Sequence, residues 1–238
     1  MAADPQHRLL LEGAAELLPA ALAANTRITT ATAGVFVGIS WCEYHQLSVA
    51  HGVAEGPYAA QGAVLSMACG RLSYTWSLSG PSLSVDTACS SSLVATHLAC
   101  THLASQQQHI ALTAGANTML LPGTTAMFNQ ASMLAPDARC KALDASADGY
   151  VRAEGLVMAL LASHEAAQAR ATSSLPVLAV LAGSAVNQDG RSSSLTAPHG
   201  PSQQAVMMAA LAAAGADLDS VCALQMHGTG KWIAGVRG

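Results

Sequence analysis

Apolar residues along the chain follow two rhythms. Leu9, Leu10, Gly13, Leu17 and Leu18 recur at helical spacing behind Asp4-Pro5, a cap and first-turn proline, which predicts a helix over Pro5–Ala24. Helical character returns over Pro57–Gly70 and over Ser202–Ala214 behind Pro201. A further helix runs from Leu93 to about Ala104, with Leu93, Val94, Leu98 and Leu103 as core candidates. Between these lie short apolar runs bounded by glycine or polar turns: Ala33–Ile39, Ser82–Val85, Ile110–Ala116, Gly155–Ser163, Val177–Ala185 and Val221–Met226. They read as strands, with Ala33–Ile39 and Ile110–Ala116 buried. Trp41–Gly56 carries neither rhythm and reads as an irregular excursion. Pro122–Met133 is helix or loop, and His164–Ser174 a short helix or turn. Strands alternating with helices point to an α/β class.

The most informative junction is Gly80–Ala95, GPSLSVDTACSSSLVA. A strand-like run meets the polar turn Asp86–Thr87, and a small-residue helix follows with Cys89 at its start. Unpaired N–H groups and the positive end of a helix dipole favour a thiolate, the form that attacks carbonyls. Ala88, Ser90 and Ser91 are small enough to let an acyl group and its carrier approach. Asp86 is an anion nearby and opposes the thiolate if it points inward. For a free cysteine considered alone, structural burial is the commoner role. A second reactive-looking residue, His227, stands after the run Val221–Met226 and opens His227-Gly228-Thr229-Gly230.

Composition narrows the classes. Charged residues make up 10% of 238 positions against roughly 25% in an average domain, while hydrophobic residues reach 51%. Such a chain hides much of its surface in a layered core or an interface. A net charge of −4 offers no basic footprint for nucleic acid. The six cysteines form no C-x-x-C pair and the nine histidines show no metal-ligand spacing, so neither a disulfide framework nor a metal site is expected. No membrane span and no signal peptide are predicted. The polar stretch Ala135–Glu154 alternates opposite charges and reads as an ion-paired surface crossover rather than a set of catalytic carboxylates.

Around Cys89, DTACSSSL resembles the nucleophile motif of β-ketoacyl synthases, specifically the ketosynthase domains of polyketide synthases and animal-type fatty-acid synthases. Asp4–Glu12, DPQHRLLLE, is similar to that family's DPQQRLLLE helix, and Gly34–Ser40 to its GVFVG strand. Met133–Gly155 resembles its MLSPDGRCKxFDxxADGYxRGEG segment, Gly183–Gln204 its GSAVNQDGRSxGLTAPNGPSQ loop, and His227–Gly230 the start of its HGTGT motif. The resemblance runs from residue 4 to residue 230. It implies a thiolase-like fold, layered α-β-α-β-α, of which the first strand and most of the C-terminal half have no counterpart here. Residues 1–230 then correspond mainly to the N-terminal portion, and 231–238 form an unmatched tail. The family's lysine, second histidine and Gly-Phe-Gly segment are also without counterpart.

By the same resemblance Cys89 is the acyl-accepting nucleophile and His227 the first active-site histidine, with Ser90, Asn187 and Thr229 on the substrate side. No cofactor is bound by the domain itself; substrates arrive as phosphopantetheine or coenzyme A thioesters. The implied partners are an acyl carrier protein, acyl and malonyl thioesters and a second copy in a homodimer, in the cytoplasm. The reaction implied is thioester formation followed by decarboxylative Claisen condensation. The competing expectation is a non-catalytic ketosynthase-like chain that keeps only a docking surface. A Cys–His hydrolase of unrelated fold explains none of the long matches.

Overall fold

The computed structural model describes residues 3–23, 32–52, 56–105, 109–169 and 176–230. Ala24, residues 170–174 and the tail 231–238, on which expectations above fall, lie outside the described residues. The chain forms two units: Met1–Leu120 with Glu154–Val180, and Leu121–Ala153 with Leu181–Gly238.

The first unit is built on a four-stranded sheet. Its strands are β1 (Gly34–Gly38), β2 (Ser82–Val85), β3 (Ile110–Asn117) and β4 (Gly155–Ala162), in the order β2-β1-β3-β4. β1 is parallel to both β2 and β3, whereas β4 runs antiparallel to β3. Alternation along β1 sends Val35 and Val37 to one face and Phe36 to the other. The first face carries the larger core, in which α1 (Pro5–Ala23) and α4 (Ser66–Trp76) pack Leu10, Ala14, Leu18, Ala68, Cys69 and Leu72 against Val35, Val37 and Leu112. On the opposite face α5 (Ser91–Ser105) packs Ala95 and Ala99 against Phe36 and Ala111. The α1 cap is as predicted, with Asp4 Oδ1 accepting the Gln6 N–H at 2.8 Å.

Four expectations are corrected. Trp41–Gly56 is not irregular throughout: Glu43–Ala50 forms the helix α2. Its local propensity is modest, but Glu43 is buried and its Oε2 accepts the Leu120 N–H at 2.6 Å, so tertiary contact fixes the turn. Pro57–Gly70 breaks into α3 (Ala59–Ala63) and the start of α4, because Val64 is extended between them. Leu93 is not a core residue: it is 74% exposed, and α5 instead buries Ser91, Ala95, Ala99 and His102. The sheet presents Gly38 and Gly115 to this helix, so only a small-residue face descends far enough to meet them. Finally, 177–185 and 221–226 are not strands. Neither finds a neighbouring strand among the described residues, and without a ladder strand composition alone does not make a sheet.

Within the second unit, α6 (Pro122–Gln130) precedes the polar crossover. There Lys141 Nζ bridges Asp137 and Asp148 at 3.0 and 2.7 Å. Arg152 lies over the Phe128 ring and donates to Thr125 Oγ1 at 2.6 Å. The expected ion-paired crossover is present. α8 (Gly200–Ala214) follows and ends at Gly215, whose φ of 62° gives the left-handed C-terminal stop. Between β4 and the second unit's loop stands α7 (His164–Ala169), in the first unit.

Candidate active site

β2 hands the chain to a turn that few sequences can make. Ala88 has φ 55°, the left-handed region, where a side chain costs about 1–2 kcal/mol. Hydrogen bonds on both sides hold it there. Asp86 Oδ1 accepts the Ala88 N–H at 3.0 Å. Ser91 Oγ accepts the Thr87 N–H at 2.9 Å and donates to the Ala88 carbonyl at 2.6 Å. Ser90 Oγ reaches the Thr87 carbonyl at 2.8 Å and Thr87 Oγ1 at 2.9 Å. Ser90 and Ser91 are therefore structural as much as small: both tie the turn that presents the thiol.

The seat of the helix is set by glycine. A Cβ on Gly38 would stand 2.5 Å from the backbone of Ser91 and Ser92, and one on Gly115 would stand 2.7 Å from the Ser92 Cβ. Both strands thus give up a side chain so that α5 rests on their backbone. Cys89 emerges exposed, two residues ahead of the first residue of α5.

The other cysteines are differently placed. Burial, with Asp4 and Asp86 adding to it, pushes the Cys42 thiol up, and burial alone does so for Cys100. Cys69 is buried in the core. Cys140 is exposed and its Sγ accepts the Val151 N–H at 3.2 Å, while Cys222 is exposed beyond α8, outside any helix or strand. Asp86, the anion that opposes a thiolate if turned inward, has a carboxylate oxygen committed to the Ala88 N–H.

Cys89 and Ser90 belong to the first unit, and Asn187, His227 and Thr229 to the second. Asn187 Nδ2 donates to the Ser202 carbonyl at 2.7 Å, which ties the turn-rich loop to the first turn of α8. The same loop is closed by Asp189 Oδ2, which accepts the His199 N–H at 3.2 Å, and by a 2.8 Å bond between His199 Nδ1 and Ser202 Oγ. His227 is exposed. Gly228 and Gly230 flank Thr229 with φ of 55° and 61°, so the motif's glycines serve left-handed backbone. A Cβ at Gly228 would meet Ala142 at 3.2 Å, and one at Gly230 the Gly149 carbonyl at 3.2 Å. The His-Gly-Thr-Gly turn thereby rests on the ion-paired crossover. Sequence reasoning missed the strained Ala88, the Ser91 latch and the two strand glycines. Only the run of small residues around Cys89 hinted at them.

Among the described residues no group of three His, Cys, Asp or Glu is placed to hold a metal ion, and no helix is long and apolar enough to cross a membrane.

Comparison with known proteins bears directly on this arrangement. The β-ketoacyl synthase N-terminal domain matches residues 1–167, and the β-ketoacyl synthase C-terminal domain matches residues 178–235. Polyketide synthase GfsA of Streptomyces halstedii is 44% identical over 229 residues, 96% of this chain and 3% of that protein. The spectinabilin polyketide synthase system protein NorC of Streptomyces orinoci is also 44% identical, over 97% of this chain and 10% of its own length. Among solved structures, the ketosynthase from module 6 of the bacillaene synthase of Bacillus subtilis superposes with a TM-score of 0.83 at 34% identity, covering 96% of this chain and 39% of that one. The oxazolomycin ketosynthase domain OzmH KS7 of Streptomyces albus gives a TM-score of 0.85 at 32% identity, covering 97% and 40%. The chain therefore spans a small part of the polyketide synthases it matches and about two-fifths of the solved ketosynthases. With a thiolase-like fold and both family domains matched, the chain belongs to the β-ketoacyl synthase family, among the ketosynthases of polyketide synthases.

Proposed function

We propose that Cys89 is the acyl-accepting nucleophile of a condensing enzyme. Its thiolate attacks the carbonyl of an acyl thioester carried on phosphopantetheine or coenzyme A. The carbonyl–sulfur bond to the carrier breaks, the carrier leaves as a thiolate that takes up the proton Cys89 gave up, and the acyl group remains on Sγ. A malonyl-type extender on an acyl carrier protein then loses carbon dioxide, and its enolate carbon attacks the acyl-enzyme. A new carbon–carbon bond forms and the Cys89 thiolate is released. In this reading His227 hydrogen-bonds the enolate oxygen, while Ser90, Asn187 and Thr229 face the substrate.

The observation that carries the reading is the turn itself. An exposed thiol is presented from a left-handed Ala88 between a strand and a helix, in a chain of this family. Strain at a site presenting a reactive group is commonly retained for its function. The open edge of β2, which among the described residues pairs only with β1, suits the homodimer this reading assumes. Six free cysteines suit a reducing cytoplasm.

Incubation with an acyl-coenzyme A and intact-mass analysis tests the nucleophile. One acyl adduct is expected, mapped to Cys89 and absent in Cys89→Ala; an adduct that survives this substitution refutes the assignment. His227→Ala is expected to acylate normally and to lose malonyl-dependent carbon dioxide release. A second reading, a docking protein without condensation, is favoured by the exposure of His227. Its signature is carrier-protein binding with no carbon dioxide release by the unsubstituted chain.

A further inference from the structure

All four backbone polar groups of Thr87 and Ala88, the residues just ahead of Cys89, are tied by three side chains. Asp86 Oδ1 accepts the Ala88 N–H, and Ser90 Oγ donates to the Thr87 carbonyl. The other two groups belong to Ser91. Its Oγ accepts the Thr87 N–H at 2.9 Å and donates to the Ala88 carbonyl at 2.6 Å, where the Ser91 N–H also arrives at 3.1 Å. Asp86 and Ser90 therefore each hold one residue, whereas Ser91 brackets the pair from the Thr87 nitrogen to the Ala88 carbonyl. Only a group that donates and accepts at once can do this, and the serine hydroxyl is one.

Ser91 is also where the turn meets the sheet. It is the first residue of α5 and is 5% exposed, and a Cβ on Gly38 would stand 2.5 Å from its backbone. One side of the residue is seated on β1, and the other grips the pair that leads into the thiol. Ala88 needs such a grip. Its φ of 55° is disfavoured for any residue with a side chain, so the turn keeps this conformation only while its hydrogen bonds outweigh that cost. Because Ser91 is buried, water does not stand in for its hydroxyl once that is removed. We propose that Ser91 is a positioning residue for acyl transfer to Cys89, acting through Ala88 to fix the direction from which Sγ meets the thioester carbonyl. Attack on a carbonyl requires a narrow range of distance and angle. A turn free to relax therefore lowers the rate of transfer more than the affinity for the acyl donor. The inference rests on the reading of Cys89 as the nucleophile.

The test uses the 238-residue chain with acetyl- and hexanoyl-coenzyme A, following adduct formation by intact mass and mapping it to Cys89 by peptide. Ser91→Ala is expected to lower the maximal rate of acylation about tenfold, the effect of losing one buried hydrogen bond, and to change the half-saturating concentration less than about twofold. Ala88→Gly added to Ser91→Ala should recover about threefold or more of that loss, because glycine enters left-handed backbone without a side-chain penalty. A merely structural contribution of Ser91 to α5 would not respond to residue 88. Hydrogen exchange in β1 and β3 shows whether each variant is folded. Should Ser91→Ala not fold, Ser91→Cys, of the same shape and with a much weaker hydrogen-bonding group, takes its place in the same comparison. A maximal rate within about twofold of the unsubstituted chain overturns the inference. So does a slow variant that Ala88→Gly leaves equally slow, or a loss confined to the half-saturating concentration. An unsubstituted chain that takes no adduct on Cys89 refutes the nucleophile assignment and the inference with it, whereas equal rates with and without the Ser91 hydroxyl overturn the inference alone.

Discussion

At the residue scale, the presentation of Cys89 depends on atoms that are missing from two glycines and on strain at one alanine. Adding a Cβ at Gly38 places it 2.5 Å from the Ser91 and Ser92 backbone, which has no flexible end to swing aside. Gly38→Ala is expected to destabilise the first unit by about 1–3 kcal/mol, the range for overpacking, and to slow acylation of Cys89 as α5 lifts from the sheet. Urea denaturation and acylation rates measure the two effects, and an unchanged midpoint would show that the helix does not rest where the structure places it. Ala88 gives the opposite sign. At φ 55° glycine carries no side-chain penalty, so Ala88→Gly is expected to be neutral or to stabilise by up to about 1 kcal/mol. A loss of more than about 1 kcal/mol in the same experiment would mean that the turn is not held by backbone geometry in this way.

The element scale explains which parts of the fold were readable. β1, β3 and β4 were legible because unbroken apolar runs of that length, punctuated by glycine, have few other uses. The position of α5 was legible, but its buried face was not. Ser91–Ser105 scatters apolar and polar residues around its circumference with no single apolar face, so size points to Leu93 while the glycine-bearing sheet selects Ala95 and Ala99. That selection depends on residues 38 and 115 meeting residue 92, a contact no local pattern encodes. Cys89 was legible from its octapeptide, whereas the Ser91 latch behind it needed coordinates. The segments 177–185 and 221–226 show the converse: their composition is strand-like, yet they are not strands, because a strand is a relation between two stretches of chain. The corrected face of α5 is directly testable. Leu93→Ser, at an exposed position, is expected to change stability by less than about 0.5 kcal/mol. Ala99→Leu, at a fully buried one, is expected to cost about 1–3 kcal/mol. Reversal of that order in thermal or urea unfolding would restore Leu93 to the core.

At the scale of the whole molecule, few charges are available and several polar groups are nevertheless buried at the head of α1. Asp4, Gln6 and His7 are all nearly inaccessible, with the Gln6 side chain donating to the Trp41 carbonyl at 2.8 Å. Burial holds the His7 imidazole below its ordinary value of 6.5; the nearby Asp4 carboxylate opposes this and the Arg71 guanidinium reinforces it. The unfolded chain therefore takes up a proton near pH 6.5 that the folded chain refuses. Stability is at its full value above that pH and falls as pH drops from about 6.5 toward the lower folded value. His102, buried beside Phe36 and also held low by burial, contributes with the same sign. The urea midpoint, followed by tryptophan fluorescence, is accordingly expected to fall between pH 7.5 and pH 5.5. His7→Gln, which places a neutral amide at this position, should flatten part of that fall, and His102→Gln added to it should flatten more. An identical pH dependence in all three proteins would show that acid sensitivity arises elsewhere and that the head of α1 accepts the proton without cost.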